Sequence, residues 1–105
     1  ELLEDVEITP ALVNRCRELK AKGCLLALDD HRFGAQYEEL YNGLVDIIKI
    51  DMLATPLEEQ YRDVELFSHY PVKLLAEKVD SRHVYLRCRK MGFELFQGYF
   101  FARPS

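Results

Sequence analysis

One device occurs four times in this chain: a short apolar run closes on charged or amide side chains. Leu25-Leu26-Ala27-Leu28 runs into Asp29 and Asp30, and Val45-Asp46-Ile47-Ile48-Lys49-Ile50 runs into Asp51. Val72-Lys73-Leu74-Leu75-Ala76 runs into Glu77, and Phe93-Glu94-Leu95-Phe96 runs into Gln97 and Gly98. Nearly continuous apolar runs of this length suit parallel strands covered on both faces. Adjacent carboxylates at a strand end repel each other and lose hydration unless a cation or basic group offsets them. Four strands that gather polar groups at their C-terminal ends are what a (β/α) barrel uses to build a site.

The segments between the runs read as helices. Thr9-Pro10 is an N-cap followed by a proline at the first helical position, with Leu12, Val13, Cys16 and Leu19 on one face and Gly23 closing the helix. Residues 31–44 read as a polar loop with a short helix over 36–41, ending at Asn42-Gly43. Thr55-Pro56 repeats the cap-then-proline signal, and Leu57, Tyr61, Val64 and Phe67 form the stripe of a helix that runs to about His69. Asp80 or Ser81 caps a fourth helix with Val84, Cys88 and Met91 on one face and Gly92 at its end. The strands then fall at 24–30, 45–51, from residue 72 to the Glu77 end, and 93–101, each separated by room for one helix. Glu1-Leu2-Leu3-Glu4 is too short to assign from pattern alone, though it could be the tail of one more strand. Crossovers of this kind are right-handed. The order fits an open doubly wound sheet or half of an eight-stranded barrel. The absence of a Gly-rich phosphate loop favours the half barrel.

Alternation assigns faces. If Asp29 points inward, so do Leu25 and Ala27, while Leu26 and Leu28 pack on helices. Ile47, Lys49 and Asp51 share a face, as do Leu75 with Glu77 and Leu95 with Gln97. Each residue also has a plain structural reading. Asp30 caps the following turn, Lys49 pairs with Asp51 or Glu77, and Gln97 is a satisfied core amide. Hard oxygen ligands at this density suit Mg²⁺, Mn²⁺ or Ca²⁺ rather than zinc, and a pair of such ions suits phosphodiester hydrolysis. His31, His69 and His83 have no metal-ligand spacing among them.

At 105 residues the chain is one domain or a piece of one, and its opening at Glu1 without Met points to a piece of something longer. A net charge of −4 gives no basic footprint for duplex nucleic acid. Cys16, Cys24 and Cys88, an odd number without paired spacing, read as reduced, buried, small apolar residues in a cytoplasmic protein. No stretch of these residues reads as a signal peptide, and no apolar run approaches the ~18 residues needed to span a membrane.

Four motifs in order resemble those of EAL domains, the cyclic di-GMP phosphodiesterases of bacterial signalling. They are Leu26-Ala27-Leu28-Asp29-Asp30, Ile48-Lys49-Ile50-Asp51, Leu75-Ala76-Glu77-Lys78-Val79-Asp80 and Phe96-Gln97-Gly98-Tyr99-Phe100. The resemblance implies an α/β fold, the C-terminal half of a TIM-like (β/α) barrel with four parallel strands alternating with helices. It implies Mg²⁺ or Mn²⁺ held by Asp29, Asp30, Glu77 and Glu1. It also implies Lys49 as the residue that orients or activates the attacking water, with Asp51 and Gln97 supporting the site and Glu4 anchoring the loop after Asp30. The implied ligand or substrate is cyclic di-GMP. The Glu-Ala-Leu signature and the family's Asn ligand belong to a preceding half barrel. The loop usually written Asp-Asp-Phe-Gly-Thr-Gly-Tyr-Ser-Ser-Leu is here Asp29-Asp30-His31-Arg32-Phe33-Gly34-Ala35-Gln36-Tyr37-Glu38-Glu39-Leu40, two residues longer. Lys78 stands where the family usually has Gly. The pattern is similar to the branch joined to HDOD domains, whose members are often degenerate, so the expectation for this chain alone is an inactive fragment. Its unclosed edges imply a homodimer or larger assembly.

Overall fold

The first helix begins where its capping chemistry requires. In the computed structural model, which describes residues 2–3, 8–29 and 32–98, Thr9 Oγ1 accepts a hydrogen bond from the Leu12 N–H (3.1 Å), and Pro10 opens helix α1 (Pro10–Ala21). Lys22 is the C-cap and Gly23 follows at φ +86, a left-handed conformation that glycine adopts without a Cβ penalty. Val13, Cys16 and Leu19 form the buried face, as the spacing predicts. The predicted short helix is a 3-10 turn, Ala35–Tyr37, running into α2 (Glu38–Tyr41).

The second cap-and-proline pair behaves differently. Helix α3 spans Leu57–Phe67 with Pro56 itself at the N-cap and no side-chain cap bond. Thr55 is committed elsewhere: it is buried, its N–H bonds Asp51 O (3.1 Å), and its carbonyl accepts from Gln60 Nε2 (2.8 Å). The expected stripe is also rotated. Leu57 and Tyr61 are exposed, whereas Gln60, Asp63 and Phe67 are buried and Val64 is partly so. The cause is polar. Gln60 donates to Met52 O and Thr55 O, and Asp63 pairs with Arg32, so these side chains hold the inner face because they have partners there. Helix α4 (Arg82–Met91) starts at Ser81, which accepts from the Val84 N–H, while Asp80 is exposed; Gly92 is its C-cap at φ +121.

Between the helices lie parallel strands β1 (Leu2–Leu3), β2 (Ala27–Leu28), β3 (Ile47–Asp51), β4 (Lys73–Glu77) and β5 (Leu95–Phe96). The ladder of β2 is shorter than its apolar run suggested; residues 99–101 of the expected last strand lie outside the described residues; and β1 falls on Leu2-Leu3, where a strand tail was one possibility. The sheet order is β1-β2-β3-β4-β5, each strand beside its sequence neighbour. A doubly wound sheet reverses its strand order at a switch point, and none occurs here. Successive right-handed crossovers without reversal wind in one direction, as in a barrel. The two faces of the sheet agree with this. Leu26, Leu28, Ile48, Ile50, Leu74 and Ala76 are buried in the core with residues from the helices, while Leu25 is exposed and Ile47, Leu75 and Leu95 are partly covered. The second set is the inward set that the alternation predicts, apart from Ala27, which is buried.

Candidate functional site

Strand register brings the predicted polar residues to one edge. Asp51 is paired with Glu77, and Lys49 with Leu75. Leu28 is paired with Ile48, so one step further along the register sets Asp29 level with Lys49. The Gln97 N–H bonds Ala76 O (2.9 Å) and its carbonyl accepts from the Val79 N–H (3.0 Å), which places Gln97 beside Glu77. Asp29, Glu77 and Gln97 therefore lie at the C-terminal ends of β2, β4 and β5, and Lys49 lies level with Asp29, two residues before the end of β3. Glu1, Glu4, Asp30 and His31 lie outside the described residues.

The environments of these side chains differ. Asp29 is half-buried, and its Oδ1 is buried without a hydrogen-bond partner among the described residues. Lys49 is half-buried and has no ion pair among the described residues. The proposed structural bridge from Lys49 to Asp51 does not form, because Asp51 is taken by another cation. Lys78 Nζ lies 2.7 Å from Asp51 Oδ2, and Asp51 Oδ1 accepts from the Leu53 and Ala54 N–H groups (2.8 and 2.9 Å). Burial pushes the Asp51 carboxyl up, but these hydrogen bonds outweigh it and the net shift is downward. Gln97 is exposed and is not a core amide. Lys78 has φ +59, a left-handed conformation uncommon outside glycine.

The loop after the aspartates carries contacts that periodicity did not reveal. Arg32 Nε donates to Asp63 Oδ2 (2.6 Å), and Arg32 Nη2 lies 3.3 Å from Glu59 Oε1. Phe33 packs on Tyr41, Phe67 and Tyr70 with ring centroids 5.5, 5.2 and 6.1 Å away. The Gly34 N–H donates to Tyr41 Oη (3.2 Å), a hydroxyl whose pKa burial pushes up to about 12. Nothing in the local spacing pointed to them, because Asp63 lies 31 residues further along the chain than Arg32.

Among the described residues, no three His, Cys, Asp or Glu side chains gather closely enough to hold a metal ion; two of the four expected ligands, Glu1 and Asp30, are not among them. The cysteines are free. Cys16 and Cys88 are buried, with thiol pKa values raised by that burial, whereas Cys24, expected to be buried, is only partly covered. No described helix is long and apolar enough to cross a membrane.

Against known proteins, residues 1–104 match the family described as EAL domain. The chain is 45% identical over 108 residues to the uncharacterized protein YuxH of Bacillus subtilis, covering 99% of this chain and 26% of that protein. It is 36% identical over 107 residues to the cyclic di-GMP phosphodiesterase CdgJ of Vibrio cholerae, covering all of this chain and 24% of that one. It thus spans about a quarter of the length of these curated relatives. Among solved structures, a standalone EAL protein of Vibrio cholerae in its cyclic di-GMP-bound form superposes with a TM-score of 0.73 at 26% identity, over 99% of this chain and 49% of that one.

Proposed function

Because the chain belongs to the EAL domain family, we propose that it forms the C-terminal half of an EAL-type barrel in a longer, cytoplasmic bacterial protein that binds cyclic di-GMP. The observation that carries this reading is the gathering of Asp29, Lys49 and Glu77 at or near the C-terminal ends of consecutive strands, with one Asp29 oxygen buried and unpartnered among the described residues. A buried carboxylate oxygen without a donor is costly unless a cation completes it. The donor set here is hard oxygen, which fits Mg²⁺ or Mn²⁺. Asp29 and Glu77 would hold the ion together with Glu1 and Asp30, and the ion would supply charge for activating water at a phosphodiester. Lys49, uncommitted to Asp51, stands between Asp29 and Glu77 in the strand order. There it can orient a water and meet the charge of a phosphate oxygen. Coverage of about half the solved domain and a quarter of the curated relatives supports a partial barrel accompanied by further domains, with an HDOD domain as the expected companion.

Isothermal titration of the whole protein with cyclic di-GMP, with and without Mg²⁺, tests the reading. Binding is expected, and no binding under either condition overturns it. A second reading is a non-catalytic cyclic di-GMP receptor or interaction scaffold. It is favoured by the loop after Asp30, whose Arg32 is committed to α3 rather than to the strand ends. Hydrolysis that is abolished by Lys49→Ala or Glu77→Gln selects the enzyme, whereas binding without hydrolysis selects the receptor.

A further inference from the structure

We propose that Lys78 is a second phosphate-binding lysine of the strand-end site: Asp51 aims its ammonium, which meets a phosphate oxygen of the ligand beyond the one served by Lys49. The inference rests on the reading of these strand ends as a site for cyclic di-GMP. It adds a contact at a position where the family usually has Gly. Strand geometry places the ammonium. Asp51 is level with Glu77 across the rung and two residues beyond Lys49, so alternation puts all three side chains on one face. Lys78 Nζ turns back to that face, 2.7 Å from Asp51 Oδ2, while Asp51 Oδ1 accepts from the Leu53 and Ala54 N–H groups. The carboxylate side chain is 7% exposed and the lysine side chain 54%, so the pair is buried at its anionic end and open at its cationic one.

Stability alone does not account for this lysine. Its backbone, at φ +59, is strained for a residue with a Cβ, and an ion pair with a half-exposed lysine contributes little after solvent screening. Strain held where it returns no net stability points to a functional constraint. Charge supplies that function. Among the described residues, Asp29, Asp51 and Glu77 stand at the strand ends against Lys49, and a phosphate entering such a site meets like charge. Lys78 offsets the Asp51 carboxylate and presents a compact ammonium, a point-charge partner for phosphate oxygens. The two lysines act at different heights. Lys49 is rooted two residues, about 7 Å, below Asp51 along β3. Cations stepped along one face in this way suit a ligand that carries two phosphodiesters, as a cyclic dinucleotide does.

The test titrates the whole protein with cyclic di-GMP at low and at high salt in four forms: wild type, Lys78→Gly, Lys78→Met and Lys78→Arg. The unfolding stability of each form is measured beside its affinity. A charge-assisted contact at a half-exposed lysine predicts affinity about three- to tenfold weaker in Lys78→Gly and Lys78→Met at low salt. Added salt should then weaken these two variants less than wild type. Lys78→Arg keeps the charge and should keep most of the affinity. Glycine relieves the backbone strain and methionine does not, so equal affinity losses at unequal stability identify the ammonium as the cause. Three results overturn the proposal: unchanged affinity in Lys78→Gly, a loss in Lys78→Arg as large as in Lys78→Met, or losses that follow stability across the forms. If the wild type does not bind cyclic di-GMP, the reading of the site fails and inorganic pyrophosphate becomes the probe. Weaker pyrophosphate binding by Lys78→Gly than by wild type upholds the anion contact, and equal binding or none refutes it.

Discussion

Lys78, rather than Lys49, is the lysine paired with Asp51. Its ammonium is 2.7 Å from Asp51 Oδ2, although its backbone sits at φ +59 and its side chain is 54% exposed. Strand pairing aligns Asp51 with Glu77, so a lysine that turns back one residue beyond Glu77 reaches the carboxylate across the rung. The left-handed conformation is what makes that turn.

The cost of this arrangement can be separated from its benefit. A left-handed non-glycine residue costs on the order of 1 kcal/mol, and a half-exposed ion pair contributes about as much. Lys78→Gly removes both, so its stability should lie within about 1 kcal/mol of wild type. Lys78→Met keeps the strain and leaves Asp51 without its cation, so it should be less stable than Lys78→Gly by about 1 kcal/mol. Urea unfolding of the two variants measures the difference, and the reverse order would contradict this account.

Acid should weaken the fold at two identifiable carboxylates. Asp46 accepts from Lys20 Nζ (2.6 Å) and the Leu26 N–H (2.9 Å); burial pushes its carboxyl up, but these bonds prevail and its pKa is lowered, as for Asp51. A carboxyl with a depressed folded pKa stabilises the native state above its unfolded value of roughly 4, and that contribution is lost as pH falls through the folded value. The melting temperature should therefore drop below about pH 4. The drop should be shallower in a variant carrying Asp46→Asn and Asp51→Asn, which is less stable at neutral pH.

Local chemistry explains why parts of this fold were legible and others were not. Thr9-Pro10 and Ser81 announce their helices because capping involves residues three apart, and the apolar runs announce strands because alternation is local. The polar strand ends were legible for the same reason. The rotation of α3 was not, since Gln60 and Asp63 look like surface residues until Met52 O, Thr55 O and Arg32 are placed around them. Lys78 likewise reads as a solvated lysine, because its partner is 27 residues away and the rung that joins them is tertiary.

Gly98 should tolerate no side chain. A Cβ there would lie 2.2 Å from Val79 O and 2.5 Å from Val79 N, and both are backbone atoms that cannot swing aside. The same segment carries the Val79 N–H to Gln97 O bond that joins the ends of β4 and β5. Gly98→Ala should cost at least about 2 kcal/mol by overpacking. Denaturant unfolding would check this, and a variant as stable as wild type would show that the two segments separate easily.

The isolated 105 residues should associate. Among the described residues, β1 and β5 are the outer strands of the sheet, each with one neighbour, which leaves hydrogen-bonding edges open. The inward face adds apolar surface: Leu25 is 65% exposed, and Ile47, Leu75 and Leu95 are only partly covered, since among the described residues no opposing layer of side chains fills a barrel core above them. Leu53, Leu57 and Tyr61 are exposed as well, around the start of α3. Open edges combined with apolar faces are commonly covered by a second copy, most often with two-fold symmetry. Sedimentation of the purified chain at micromolar concentration should give a dimer or larger species without hydrolytic activity. A monomer that stays folded and soluble would mean that the five strands shield their own edges and inner face.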